Sequence, residues 1–106
     1  MLVGMIPIPK RCPWFYVDKE LSIGLTSELK KEVGPEHFLY QWYEKLVVIA
    51  KCEGNDDVLV ARNDDFGLFF WVHLTWSGKI DQFPSRYPDA GTVLNADLVQ
   101  FFEQYC

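Results

Sequence analysis

Between residues 45 and 76 three runs of β-favouring residues are separated by only two short connections, and this spacing constrains the fold more than any other feature. Lys45 to Cys52 contains Leu46, Val47, Val48 and Ile49; Glu53-Gly54-Asn55-Asp56 has hairpin chemistry; Asp57 to Arg62 forms the return strand. Asn63 to Gly67 is a second turn, and Leu68 to Trp76 is the third strand. Connections this short join antiparallel neighbours. The expected fold is therefore α+β: an antiparallel three-strand meander packed by an N-terminal and a C-terminal helix, with a fourth strand where the N-terminal arm joins it.

The flanking segments supply those helices. Leu21, Leu25, Leu29 and Val33 recur every four residues and predict a helix that Gly34-Pro35 stops, with Thr26 or Ser27 as a candidate N-cap. Lys30, Lys31 and Glu32 are expected to face water. Pro35 to Tyr43 has no clean period and reads as a turn or short helix. Pro84, Pro88 and Gly91 mark an irregular connection, after which Asn95 caps a final helix carrying Leu98, Phe101, Phe102 and Tyr105 on one stripe. Residues 1–17 read as an extended arm, because Pro7, Pro9 and Pro13 forbid helix, with a short edge strand at Trp14 to Val17. At 106 residues the chain suits one domain spanning 1–106.

Side chains alternate along a strand, so Leu68, Phe70, Val72, Leu74 and Trp76 share one face of the third strand, and Phe69, Trp71, His73 and Thr75 the other. Both sets are largely apolar, so both faces need cover. One face is expected to take the helices and the other the N-terminal arm.

Charge and cysteine content exclude several roles. The net charge is −5 and the ten Lys and Arg are scattered, which argues against nucleic acid, whose phosphates demand clustered positive charge. Charges interrupt every apolar run before the roughly 18 residues of a membrane span. Met1 to Ile8 precedes Lys10 and Arg11, the reverse of a secretory signal. Cys12, Cys52 and Cys106 form no CxxC pair and suit free thiols in a reducing compartment, so the expected location is cytoplasmic. No Gly-x-Gly-x-x-Gly, Gly-Lys-Ser/Thr or Gly-x-Ser-x-Gly pattern occurs, and neither a cofactor nor a metal is expected.

Six residues remain as binding candidates: His37, Asp56, Asp57, His73, Thr75 and Trp76. Asp56 and Asp57 could hold a hard cation or share a proton, but Asn and Asp are also common turn formers, and consecutive strand residues diverge. His73 and Thr75 lie one pleat apart, and an imidazole beside a hydroxyl can act as base or ligand; the competing account is a half-buried histidine bonded to a carbonyl. A two-histidine metal site would need His37 close to His73. Cys52, with Glu53, Asp56 and Asp57 nearby, reads as a structural rather than a reactive thiol. Trp14, Phe15, Tyr16, Phe38, Tyr40, Trp42 and Tyr43 could line a groove, although a chain this small needs most of its aromatics for packing.

Three stretches resemble a family of small bacterial domains with no assigned activity: Glu36-His37-Phe38-Leu39-Tyr40, Ile49-Ala50-Lys51-Cys52 through Asn55-Asp56-Asp57-Val58-Leu59, and Val72-His73-Leu74-Thr75-Trp76-Ser77-Gly78-Lys79. They span the middle half of the chain, and the His-Leu-Thr-Trp stretch is the most specific. Similar proteins carry Phe where this one has Val60. The resemblance implies a self-contained domain and brings no catalytic residues with it. The leading functional expectation is a non-catalytic domain that binds a protein partner or small ligand, one form being a bacterial toxin-immunity protein. The alternative is a hydrolase-like enzyme or metal-binding protein using His73 with His37, Asp56 or Asp57.

Overall fold

The computed structural model describes residue 8 and residues 12–104. It contains a five-stranded antiparallel sheet in sequential order: β1 (Trp14–Tyr16), β2 (Leu46–Cys52), β3 (Asp57–Arg62), β4 (Asp65–His73) and β5 (Asp89–Leu94). Helix α1 spans Lys19–Glu32, a 3-10 segment spans Phe38–Lys45, and a 3-10 turn at Asn95–Asp97 leads into α2, Leu98–Glu103. No described helix is long and apolar enough to cross a membrane.

The meander of β2, β3 and β4 is present, but the three- or four-strand sheet expected from the sequence is corrected to five strands. The edge strand β1 pairs with the end of β2, Trp14 opposite Cys52 and Tyr16 opposite Ala50. The added strand is β5, which lies along all of Leu68 to His73. Its sequence, Asp-Ala-Gly-Thr-Val-Leu, holds only two good strand formers, Thr92 and Val93, and two prolines precede it closely. Pairing with β4, rather than local preference, makes it a strand.

Two expected boundaries also move. The second turn closes over Asn63 and Asp64, so β4 begins at Asp65. At its other end β4 stops at His73: the Leu74 amide still reaches the Asp56 carbonyl at 3.0 Å, but Thr75 and Trp76 donate to Glu32, and Trp76 holds a left-handed φ of 60°. Helix α1 starts two residues before Leu21 and is capped by Asp18, whose side chain accepts from the Leu21 amide at 2.8 Å. Asn95 makes no side-chain cap and sits in the 3-10 turn. Most of the arm, residues 1–7 and 9–11, and Tyr105 and Cys106 lie outside the described residues.

The helices do not share a face. Leu25, Leu29 and Val33 of the α1 region pack with Val58, Val60, Phe70, Val72 and Leu74, while Leu98, Phe101 and Phe102 pack on the other side with Trp14, Leu59, Ala61, Phe69 and Val93. The expected alternation holds from Leu68 to His73, whereas Thr75 and Trp76 lie beyond the strand and do not extend it. In β2 a bulge intervenes: Val48 pairs with Val60 and Ala50 with Leu59, leaving Ile49 extra. One extra residue reverses the faces, so Leu46 and Val48 meet α1 whereas Ala50 and Cys52 meet α2. Where β1 no longer covers β2, helix α1 does: Ser22 donates to the Val48 carbonyl at 2.6 Å and Thr26 accepts from its amide at 2.9 Å.

Candidate functional site

The β2–β3 hairpin and the register of β3, β4 and β5 place three polar side chains in one row. His73 is directly opposite Asp57 on one side and Asp89 on the other. His73 Nδ1 lies 2.7 Å from Asp57 Oδ1, with 52 % of the imidazole and 15 % of the carboxylate side chain exposed. With Nδ1–H directed at the carboxylate, Nε2 of this half-exposed ring is the nitrogen left to accept a hydrogen bond. Asp57 itself is steered by Asn55, whose side chain accepts from the Asp57 amide at 2.8 Å.

This row borders an open cleft of about 840 Å3 on the α2 face, within the roughly 300–1,000 Å3 usual for small-ligand sites. Trp71 lies next along the floor, opposite Leu59 and Gly91. A Cβ at Gly91 would collide with the Trp71 indole nitrogen, so the glycine lets the ring lie across β5. Asp97, Gln100 and Gln104 supply polar groups from the α2 side, beside Phe101. Gly91→Ala should therefore lift Trp71 off the floor, costing about 1–3 kcal/mol as overpacking; thermal melts and the near-ultraviolet tryptophan signal measure both effects, and unchanged spectra would contradict the packing.

The other sequence candidates go elsewhere. His37 is 4 % exposed and belongs to the α1 layer, stacked on Phe38, which in turn meets Phe70. Its Nδ1 accepts from the Leu39 amide at 3.1 Å, so Nε2–H donates to the Pro88 carbonyl at 2.7 Å. Both ring nitrogens are thus committed to structure, and the sheet separates His37 from His73. Asp56 turns away from Asp57 and accepts from the Trp76 indole at 3.0 Å. Thr75, beyond the end of β4, donates its hydroxyl to Ser77 at 3.0 Å and does not join His73. Of the six candidates, Asp57 and His73 come together at the cleft, while Asp56 and Trp76 form a separate pair at the hairpin. Among the described residues no three His, Cys, Asp or Glu side chains converge for a metal ion.

Cys52 is 1 % exposed, and its thiol is pushed up first by burial and then by the charge of Asp57. That holds it in the unreactive form.

Sequence reasoning missed Asp89 because it missed β5, which sets that residue opposite His73, and with it the place of Asp97, Gln100 and Gln104, which line the same cleft from the segments that follow. It also placed Glu32 in water, whereas Glu32 is 1 % and Glu28 8 % exposed. A signal for those two was present: positions 25, 28, 29, 32 and 33 follow the i, i+3, i+4, i+7 stripe of a packed helix face.

Comparison with family models, with curated proteins and with solved structures returns no match to this chain.

Proposed function

We propose that this protein is a binding domain whose α2-side cleft holds a small, positively charged, hydrogen-bond-donating ligand. The observation that carries this reading is the Asp57–His73–Asp89 row at the border of a cleft of ligand size. Carboxylates from β3, β5 and the Asn95–Asp97 turn edge the same space, so an ammonium or guanidinium group would find several acceptors there. The Trp71 ring adds an aromatic surface of the kind that attracts organic cations. Gln100 and Gln104 offer both donors and acceptors to the rest of such a ligand.

Calorimetric titration with primary amines, guanidines and quaternary ammonium compounds tests this. Asp89→Asn should weaken the best binder about tenfold to a hundredfold, the loss of a charge-assisted hydrogen bond worth ~1.5–3 kcal/mol. His73→Ala should weaken it as well while leaving the melting temperature within a few degrees, since the ring is half in solvent. Failure of every cation to bind, or equal affinity in Asp89→Asn, would remove the reading.

The dyad favours a second reading, a hydrolase-like enzyme. A half-exposed imidazole oriented by a carboxylate is the arrangement a general base requires. Among the described residues lining the cleft Thr92 has the only hydroxyl, so the attacking group would be water. Turnover of ester or phosphodiester probes that disappears in His73→Ala would select this reading over simple binding.

A further inference from the structure

On the α1 face, away from the cleft, two buried carboxylates one helical turn apart grip the segment that follows β4. Glu32 Oε1 accepts from the Thr75 amide at 2.9 Å and Oε2 from the Trp76 amide at 2.8 Å. Glu28 Oε2 accepts from the Gly78 amide at 3.0 Å. The segment is shaped to this grip: Trp76 and Gly78 both hold positive φ, 60° and 71°, which turns successive amides inward as an anion-binding concavity. A left-handed tryptophan is strained and persists only where its surroundings enforce it. Glu28 and Glu32, one turn apart on α1 and both buried, are thus anchored to amides of the same short segment, and two buried carboxyl groups held this near each other disfavour double ionisation and favour sharing a proton.

We propose that Glu28 and Glu32 form a proton-operated clasp, which holds segment 74–79 and the Trp76 ring in place while the pair shares one proton and loosens it when that proton leaves. This goes beyond ligand binding and does not depend on it. Loss of the proton would set two negative charges against each other in a buried site, and the repulsion is relieved only if one carboxylate moves toward water and gives up its backbone partners.

The charged and polar surroundings do not supply a competing switch. From α1, Lys31 acts on Glu28; from the segment, Thr75 and Trp76 favour the charged form of Glu32; from the β2–β3 hairpin, Asp56 reaches only the Trp76 indole. Lys79 contributes its amide and carbonyl to Ser77. Burial first, and the bond from Glu28 second, push the Glu32 carboxyl up to about 7. The bond from Glu32 holds Glu28 below the usual carboxylate value against the opposing effect of burial, helped by the Gly78 amide and Lys31. The two titrate as a unit.

The sign follows from linkage. A carboxyl raised on folding contributes stability that is complete below its ordinary value and is lost as pH rises through the folded value, here about 7. Glu28, shifted the other way, contributes above its ordinary value and loses that only as pH falls. The clasp should therefore loosen on the alkaline side of neutrality.

Amide exchange by NMR, corrected for intrinsic rates, tests this on the whole chain. Protection of Thr75, Trp76 and Gly78 should fall about tenfold between roughly pH 6 and roughly pH 8.5. In Glu28→Gln the side-chain amide donates permanently to Glu32 while its carbonyl still accepts from Gly78, so protection should stay within about twofold. Constant protection in the wild-type protein, or an equal loss in Glu28→Gln, overturns the proposal. If that variant does not fold, the wild-type Glu32 carboxyl carbon decides: its midpoint must lie near neutrality and coincide with that of the Trp76 indole proton. A midpoint below about 5.5, within the ordinary carboxylate range, overturns the proposal, as does an indole proton that does not follow it.

Discussion

Replacing Phe70 by alanine should destabilise the fold by about 3–5 kcal/mol, the usual loss for a buried phenylalanine. Phe70 is fully buried at the middle of β4, paired with Val60 and Thr92, so no edge of the sheet can close over the hole. Trp42 stacks on it at 5.1 Å and Phe38 meets its edge at 6.1 Å. Removing the ring therefore also takes a packing partner from the 3-10 segment Phe38–Lys45, which remains anchored by buried Leu39 and by the Tyr43 hydroxyl on the Lys30 carbonyl. Against a total of roughly 5–15 kcal/mol for a domain, such a loss leaves a large unfolded population. Urea unfolding followed by tryptophan fluorescence measures it. Phe15, 39 % exposed on β1, is the control and should change stability by about 0.5 kcal/mol or less on the same substitution. Comparable losses in both variants would mean that the sheet's centre is not where the stability resides.

His37→Ala should cost about 2–4 kcal/mol, from two buried groups left without partners at ~1–3 kcal/mol each. The orphans are the Leu39 amide, which the ring caps through Nδ1, and the Pro88 carbonyl, which it reaches through Nε2–H. His37→Asn should recover part of the loss, because an asparagine can cap the 3-10 segment but cannot span to Pro88. The contrast with His73 is informative. His73→Ala should alter ligand affinity with little change in stability, and His37→Ala should do the reverse once the folded fraction is accounted for. Equal behaviour of the two variants would show that the histidines had been wrongly separated into structural and binding roles.

Much of the framework was legible because its signals are local. The hairpin at Glu53–Asp56, the alternation of Phe69 and Trp71 against Phe70 and Val72, and the Leu25, Leu29 and Val33 stripe each depend on residues a few positions apart. Errors arose wherever a distant partner overrode a local preference. Residues 89–94 are poor strand formers that β4 recruits, and the β4 strand ends early because Glu32, over forty positions away in sequence, takes the amides of Thr75 and Trp76. The Ile49 bulge likewise left no mark in composition, yet it decides which side of the sheet Ala50 and Cys52 occupy.

The candidate site divides along the same line. That Asp57 and His73 lie on facing strands was readable, since hairpin length and strand period put them there. That His37, Asp56 and Thr75 do not join them, and that Asp89 does, was settled only by the assembled sheet. Short-range periodicity dictates which way a side chain leaves its own strand or helix; what it meets there depends on long-range pairing, whose free energy comes from contacts that no neighbouring stretch of chain contains.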